Sequence, residues 1–186
     1  MRIISGYLKG KKLSFINSQT TRPLRDMVKE GVFNILEHSK LVNIKVKDSE
    51  ILDLYSGVGS FGIECISRNA KHVTFVEQDI DAQSILIKNF EKLLIKEKVF
   101  LYSGTVRRFL GKTTSRIFDI IFIDPPYQNK NFLKEIEVLS KMNNFNKKHI
   151  VILHRESKEN DDLSNFLDIL MIKQYGRSKI FFGRFN

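Results

Sequence analysis

The chain has 186 residues, of which 42% are hydrophobic and 28% are charged, as expected for one ordinary folded domain. Its longest apolar run is far shorter than the ~20 residues that a membrane helix needs, and its basic N-terminus lacks the apolar centre of a signal peptide. A single cysteine, Cys65, excludes an internal disulfide, and the four histidines show no zinc-ligand spacing. We therefore expect a cytoplasmic protein that needs no metal.

The net charge of +10 is distributed unevenly along the chain. Residues 1–30 hold seven basic and two acidic side chains, which is half of the excess, and residues 173–186 hold four basic side chains and no acid. Clustered positive charge favours a polyanion over a small neutral substrate. The charge therefore indicates nucleic acid as a partner, with a generally lysine-rich surface as the alternative.

The first 38 residues predict an appendage followed by a helix. Residues 2–8 and 11–16 are two short runs on either side of Gly10, and they predict a basic β-hairpin or a loose arm. In residues 21–38 the apolar side chains recur at helical spacing, with Pro23 where a helix can begin. We expect a basic N-terminal arm over residues 1–20 and a main domain over residues 21–186, together forming one compact unit.

From residue 50 onward, strand-like and helix-like runs alternate. The runs with strand character are residues 51–55, 72–77, 99–104, 118–124 and 149–155. The runs with helical character are residues 61–69, 81–96, 105–112, 131–142 and 162–170. Alternation implies parallel strands with helices on both faces, and residues 171–185, with a turn near Gly176, add an antiparallel hairpin. The predicted fold is therefore α/β, with a mostly parallel seven-stranded sheet.

A glycine-rich turn follows the first strand. Gly57, Gly59 and Gly62 fit the pattern G-x-G-x-x-G at the start of a helix, and Glu77 ends the next strand. Such turns bind nucleotides because glycine allows a tight turn and a close approach of the backbone, and the helix N-terminus offers free N–H groups. Glu77 can accept hydrogen bonds from two ribose hydroxyls. The pattern alone is compatible with NAD, FAD or S-adenosylmethionine.

Asp53 distinguishes these three cofactors. It lies at the end of the first strand, where we expect it at the mouth of the glycine turn. A pyrophosphate there would face a carboxylate a few Å away, which is electrostatically unfavourable. S-adenosylmethionine carries no phosphate, and its amino group and sulfonium are both cationic. The sequence therefore favours S-adenosylmethionine over a dinucleotide; a tight turn beside a solvated acid is the purely structural alternative.

The strand over residues 118–124 ends on an acid, which two prolines and a tyrosine follow. Ligands of open α/β sheets bind beyond the carboxyl ends of the strands, so Asp124 should lie beside the glycine turn. Pro125 and Pro126 remove two N–H donors, and Tyr127 supplies a ring on which a base can stack. An acceptor-rich turn beside an aromatic ring suits a nucleobase with an exocyclic amine. The alternative is a rigid turn with a surface tyrosine.

Several of these motifs resemble those of a known family. DLYSGVGSFG, VEQD and FIDPPY resemble the Rossmann-like class I methyltransferases that act on exocyclic amines. RIISGYLKGKKL and TRPLRDMVKEGVFNIL resemble the RsmD family, which methylates guanine N2 in small-subunit (16S) ribosomal RNA. The resemblance is specific over residues 2–127 and looser beyond them. It implies S-adenosylmethionine as cofactor and ribosomal RNA, within a small subunit or its assembly intermediate, as partner.

The resemblance also implies roles for individual residues. The expected cofactor contacts are Asp53, Tyr55, Ser56, Gly57, Gly59, Glu77 and Gln78. The expected reaction site is Asp124, Pro125, Pro126 and Tyr127. Related enzymes often bond the adenine amine of the cofactor through an Asp or Asn after the third strand, and here Thr105 falls near that place. The expected RNA contacts are Lys9, Lys11, Lys12 and Arg22.

Some residues outside these sets have two interpretations. His154, after the fifth strand, is either a base or part of an ordinary polar cluster with Arg155 and Glu156. Tyr7 and Phe15 either stack on bases or pack the arm against the domain. Both questions depend on side-chain positions that the sequence does not determine.

Three alternative functions stay open at this point. Methylation of the N6 amine of adenine in DNA or RNA requires the same fold and an equally acceptor-rich turn. An NAD-dependent oxidoreductase would use the glycine pattern, and a non-catalytic RNA-binding module would use the basic surface. We expect a monomer in each case.

Overall fold

The computed structural model describes residues 1–15, 26–126, 129 and 131–186. Arg22 and Tyr127, which the sequence assigned to RNA binding and to the reaction site, lie outside these residues. The helix predicted over residues 21–38 is confirmed over its described part as α1, Asp26–His38, and residues 21–25 lie outside the described ranges. Among the described residues, none of the helices is long and apolar enough to cross a membrane.

The alternation of strands and helices is confirmed. The strands are β1 (Glu50–Leu54), β2 (His72–Glu77), β3 (Val99–Ser103), β4 (Phe118–Ile123), β5 (Phe145–Glu156), β6 (Leu167–Tyr175) and β7 (Ser178–Phe185). The other helices are α2 (Ser60–Ser67), α3 (Ile80–Leu93), α4 (Val106–Leu110) and α5 (Phe132–Ser140). The strands form one seven-stranded sheet in the order β3-β2-β1-β4-β5-β7-β6. The first five strands run parallel, and the β6–β7 hairpin adds an antiparallel pair at one edge, as predicted.

Two apolar cores cover the two faces of the sheet. On one face, α1, α2, α3 and the first residues of the chain pack over alternate sheet residues such as Phe75 and Phe122. On the other face, α4 and α5 pack over the intervening residues, such as Leu54 and Ile123. Because alternate side chains of each strand point to opposite faces, both faces are apolar and the strands read as continuous hydrophobic runs. Because β1, β2, β3 and β4 run parallel, their carboxyl ends lie together at one end of the sheet.

Residues 1–13 form a short hairpin, called the N-terminal hairpin below. An antiparallel bridge joins Arg2 and Lys12, which agrees with the predicted short basic β-hairpin rather than with the alternative of a loose arm. Three apolar side chains of the hairpin are buried in the core on the face of α1, α2 and α3, and these are Ile3, Leu8 and Leu13.

A buried carboxylate holds the N-terminal hairpin against α2. The two oxygens of Glu64 accept hydrogen bonds from the backbone N–H groups of Ile4 (2.8 Å) and Ser5 (2.9 Å). The ammonium group of Lys29, itself buried, lies 3.6 Å from Glu64 and donates to the Arg2 carbonyl at 3.0 Å. Burial lowers the pKa of Lys29, and Glu64 opposes that shift. Pairing of this kind is required because an isolated charge would be costly in the core.

The helix predicted over residues 162–170 is wrong. Residues 164–166 form a turn, and Leu167 begins β6. Leu167 pairs with Phe185 of β7, and its side chain is buried with Leu163 in the core over α4 and α5. Tertiary pairing with β7 therefore decides the conformation of a segment whose spacing of apolar residues also suits a helix.

Candidate active site

The turn between β1 and α2 lies at the carboxyl edge of the sheet. Tyr55, Gly57 and Gly59 have φ values of 59°, 54° and 84°, in the left-handed region that favours glycine. The Ser56 N–H donates to the Val76 carbonyl at 3.1 Å, which ties the turn to β2. A Cβ built on Gly57 would meet no atom within 4 Å, so a ligand has room to approach the backbone there.

The third glycine of the pattern brings α2 close to the sheet. A Cβ on Gly62 would lie 2.3 Å from a ring carbon of Phe75 and 2.9 Å from the carboxylate of Asp53. The Gly62 N–H instead donates to Asp53 Oδ2 at 2.9 Å. Asp53 is only 1% exposed, so its carboxylate lies beneath the start of α2 rather than at the open mouth of the turn, where the sequence suggested it.

Burial raises the pKa of Asp53 well above its usual range. The hydrogen bond from Gly62 opposes the shift, whereas the nearby carboxylates of Asp124 and Glu77 raise the pKa further. These two influences mean that the acids at the ends of β1, β2 and β4 lie within electrostatic reach of one another. Three acidic side chains therefore lie close together at this end of the sheet, and folding disfavours the ionised form of the buried one.

Glu77, the last residue of β2, binds the backbone of the glycine turn and of the two residues that follow β2. Its Oε2 accepts from the Gly57 N–H at 2.6 Å, and its Oε1 accepts from the N–H groups of Gln78 and Asp79, both at 2.8 Å. A carboxylate has about four lone-pair sites, and these bonds occupy three of them. One site remains for a ligand hydroxyl, where the sequence suggested two.

Two other predicted cofactor residues follow β2 and β3. The side chain of Gln78 is exposed, beyond the end of β2. Thr105 is the N-cap of α4, and its hydroxyl oxygen accepts from the Arg108 N–H at 3.2 Å. The hydroxyl of Thr105 thus has a local structural role that the sequence analysis did not include.

Asp124 comes directly after β4 and is the most open of the three acids. Its side chain is 23% exposed, and its N–H donates to the Leu54 carbonyl at 3.4 Å, which brings it beside the end of β1. Pro125 is buried and Pro126 is exposed. Asp124 Oδ1 lies 2.8 Å from Nδ1 of His154, a residue that is 7% exposed. Because a carboxylate only accepts hydrogen bonds, Nδ1 is the protonated nitrogen in this contact.

A second contact joins the turn after β4 to the turn after β1. The Tyr55 hydroxyl donates to the Glu135 carboxylate on α5, and Asn129 donates to the Tyr55 oxygen at 3.2 Å. Burial and Glu135 raise the pKa of Tyr55, so its hydroxyl stays protonated. The predicted cofactor residue Tyr55 therefore connects the two turns through its hydroxyl, while its backbone belongs to the glycine turn.

The N-terminal hairpin presents its charged residues to solvent. Lys9, Lys11 and Lys12 are all exposed, as an RNA contact requires. Tyr7 is 53% exposed and Phe15 is 52% exposed, so about half of each residue is covered. The ammonium group of Lys98 lies 5.5 Å from the centroid of the Tyr7 ring.

Sequence reasoning missed Glu135 and Asn129, and it left the role of His154 open. A signal for His154 was present, because β4 and β5 both contain an apolar run that ends one residue before a polar side chain. Ile123 pairs with Leu153 in the sheet, which sets Asp124 beside His154. No such signal existed for Glu135, since its contact with Tyr55 depends on how α5 packs. In the part of the chain that is described, no three His, Cys, Asp or Glu side chains form a metal-binding group.

This strand order, with a glycine turn after β1 and an acid at the end of β4, defines a class I methyltransferase. The family model described as "Conserved hypothetical protein 95" matches residues 1–184, and the chain belongs to that family. This membership confirms the resemblance to the RsmD family.

Curated relatives agree with this assignment, and a solved structure shares the fold. "Ribosomal RNA small subunit methyltransferase D" of Buchnera aphidicola (subspecies Acyrthosiphon pisum) is 36% identical over 84% of this chain and 78% of its own length. The protein of that name from Haemophilus influenzae is 35% identical over 86% and 80%. A solved structure of an Escherichia coli chain described as a candidate methyltransferase is 24% identical, covers 100% of this chain and 98% of its own, and shares the fold with a TM-score of 0.84. The chain is thus an S-adenosylmethionine-dependent methyltransferase.

Proposed function

We propose that the protein methylates the exocyclic N2 amine of a guanine in small-subunit ribosomal RNA. The observation that carries the proposal is the partly exposed carboxylate of Asp124 at the end of β4, next to an acidic glycine turn. The names of the curated relatives supply the class of substrate, small-subunit ribosomal RNA. The exposed lysines of the N-terminal hairpin agree with an RNA substrate.

The residues of the glycine turn fit S-adenosylmethionine better than a dinucleotide. Glu77 and Asp124 place two carboxylates at the site, which attract a cation and repel a pyrophosphate, while Asp53 lies buried beneath the turn. The missing Cβ of Gly57 leaves open space, and Glu77 retains one lone-pair site for a ribose hydroxyl. When bound, S-adenosylmethionine supplies a methyl group that is activated by its positively charged sulfur. Tyr55, Ser56, Gly59 and Gln78 would complete the cofactor contacts, and a contact of Thr105 with the adenine amine stays a prediction.

Asp124 and the turn that follows it suit an amine because they present hydrogen-bond acceptors and few donors. Pro125 and Pro126 contribute no N–H groups, so the turn after β4 presents carbonyl and carboxylate oxygens. An exocyclic amine is a poor nucleophile, because its lone pair is delocalised into the base. Hydrogen bonds from its N–H groups to Asp124 and to a turn carbonyl return electron density to nitrogen. Asp124 can then take the proton that the amine loses on alkylation.

The remaining predicted contacts belong to the RNA. Lys9, Lys11 and Lys12 would contact phosphates. Such contacts increase the affinity for RNA but do not distinguish one base sequence from another. Stacking of the target base on Tyr127 and an RNA contact of Arg22 stay predictions about residues outside the described ranges. We further propose a monomer that works in the cytoplasm, on a pre-30S particle in which the target guanine lies in a loop. Extrusion of a base from a loop costs little free energy, because the base is already unpaired.

Methylation of adenine N6 is the closest alternative, because that amine would use the same acceptors. The experiment that separates the two is incubation of small ribosomal subunits and their assembly intermediates with labelled S-adenosylmethionine. The subunits come from cells that lack the protein, and their RNA is digested for nucleoside analysis. We expect labelled N2-methylguanosine. Labelled N6-methyladenosine would replace the guanine assignment, and no label in any particle or in naked RNA would overturn the proposed function.

A further inference from the structure

We propose that His154 is a positioning residue, which holds one carboxylate oxygen of Asp124 so that the other is presented to the substrate amine. The proposal deepens the proposed function and rests on it. It starts from the 2.8 Å contact between His154 Nδ1 and Asp124 Oδ1. The imidazole is almost fully buried, whereas the carboxylate is partly exposed, so the histidine acts through Asp124 rather than on the substrate.

The sheet fixes both residues in place. β4 and β5 are parallel neighbours, and the pairing of Ile123 with Leu153 sets Asp124 and His154 side by side. On its other edge β5 pairs with β7, where His154 is opposite Ile180. The backbone of His154 therefore pairs with β7 and lies one residue beyond the last pair that β5 forms with β4. A donor on such a rigid element can define the orientation of a neighbouring carboxylate, which a residue on a loop would do less well.

The neighbours of His154 along β5 are engaged elsewhere. Arg155 points to the opposite face of the sheet, where its Nε donates to Asp161 at 2.7 Å and its guanidinium lies 4.0 Å from the centroid of the Phe132 ring. Glu156 lies 3.3 Å from the ammonium group of Lys158. Arg155 and Glu156 thus contact Asp161 and Lys158, whereas His154 contacts Asp124 at the candidate active site.

The exposure of Asp124 explains why a fixed donor matters. Its side chain is 23% exposed, so packing alone does not fix the rotation of the carboxylate. The N–H of His154 opposes that rotation with a charge-assisted hydrogen bond, which occupies Oδ1 and leaves Oδ2 for the amine.

A pair of substitutions separates this role from a general effect on folding. His154→Leu removes the donor but keeps an apolar side chain in the buried space, whereas His154→Asn keeps a donor near the position of Nδ1. We expect His154→Leu to lower kcat by about 10- to 100-fold, because a small misplacement of a reacting group has a cost of this order. The KM for S-adenosylmethionine should change little, and His154→Asn should recover most of kcat.

His149→Leu is the matched control. His149 lies five residues earlier on β5 and is similarly buried; its Nδ1 contacts the Asn146 carbonyl at 2.7 Å, and its Nε2 accepts from the Phe185 N–H at 3.0 Å. This variant loses a buried histidine of the same strand away from the candidate site. We expect a lower Tm with unchanged kcat and KM.

The ¹⁵N resonances of the His154 ring give a readout that does not depend on activity. We expect the Nδ1–H form in the native protein and a shifted Nδ1 resonance in Asp124→Ala. Nδ1 without a proton, or a ring unaffected by Asp124→Ala, would overturn the proposal whether or not methyl transfer is detected. An active native enzyme with equal kcat in His154→Leu and His154→Asn would also overturn it while leaving the proposed function intact. Absence of transfer by the native enzyme would count against the proposed function.

Discussion

The acids around the glycine turn after β1 and the acid that begins the turn after β4 have different surroundings. Beside the glycine turn, Glu77 accepts three backbone N–H groups and Asp53 is buried under α2 with one. In the turn after β4, two prolines follow Asp124, which bonds a histidine and stays partly open. Asp53, Glu77 and the glycine turn over residues 55–59 form a pocket for a cation, which we call the cradle. An acid with few local donors keeps its acceptor capacity for a substrate.

Substitution of Glu77 should give a large effect on the cradle. Glu77→Gln keeps the shape of the side chain, but its NH₂ group would face backbone N–H donors. Hydrogen bonds to charged groups contribute about 1.5–3 kcal/mol each. We therefore expect the Kd for S-adenosylmethionine to rise by about 10- to 100-fold in calorimetry. An unchanged Kd would mean that the carboxylate of Glu77 does not form part of the cofactor site.

A side chain at Gly62, where α2 packs on the sheet, should lower the free energy of unfolding. In Gly62→Ala the new methyl group would lie 2.3 Å from Phe75, and overpacking of this kind costs about 1–3 kcal/mol in the free energy of unfolding. Gly111→Ala is the control, because its nearest contact would be an ordinary 3.6 Å. Chemical denaturation should separate the two variants. Equal stability would contradict the close packing of α2 on the sheet.

The buried acid should make stability depend on pH in a specific direction. The pKa of Asp53 is raised by folding, so its contribution is fully present below the unfolded value of about 3.9 and is lost as the pH rises through the folded pKa. Asparagine does not titrate. In denaturant titrations, the free energy of unfolding of Asp53→Asn relative to the native protein should therefore increase as the pH rises from the unfolded to the folded pKa of Asp53. A difference that does not vary with pH would contradict the raised pKa.

The smallest effect per residue is expected at the N-terminal hairpin. Replacement of Lys9, Lys11 and Lys12 by Ala should weaken RNA binding and reduce the slope of log K against log salt by about 0.7–0.9 for each lost phosphate contact. The control replaces Lys141, Lys147 and Lys148, which are exposed and outside the hairpin. An equal slope for the two triple variants in filter binding would show that the hairpin does not contact phosphates.

The fold was largely predictable from the sequence. The strands of a parallel sheet with helices on both faces are continuous apolar runs, and the apolar residues of the helices between them recur at helical spacing. The error over residues 162–170 has a physical cause. Leu163, Phe166 and Leu167 suit a helix by their spacing, but pairing with β7 continues β6 back to Leu167. Local periodicity carries no information about a partner strand.

The site was predictable in its residue types but not in its contacts. The acids and glycines follow from their positions at strand ends, whereas the burial of Asp53 depends on how closely Gly62 lets α2 approach. The bond between Asp124 and His154 requires the register of β4 on β5, which no local pattern specifies. Contacts between elements distant in sequence are thus the part that only the structure reveals.

The most direct test compares methyl transfer and cofactor binding in Asp124→Ala. Removal of the open carboxylate should reduce single-turnover methyl transfer to RNA by about 10²- to 10⁴-fold, the range that a positioned acid or base contributes. Its Kd for S-adenosylmethionine should stay close to that of the native protein, because the cradle residues are untouched. An Asp124→Ala enzyme that methylates RNA at the native rate would contradict the account.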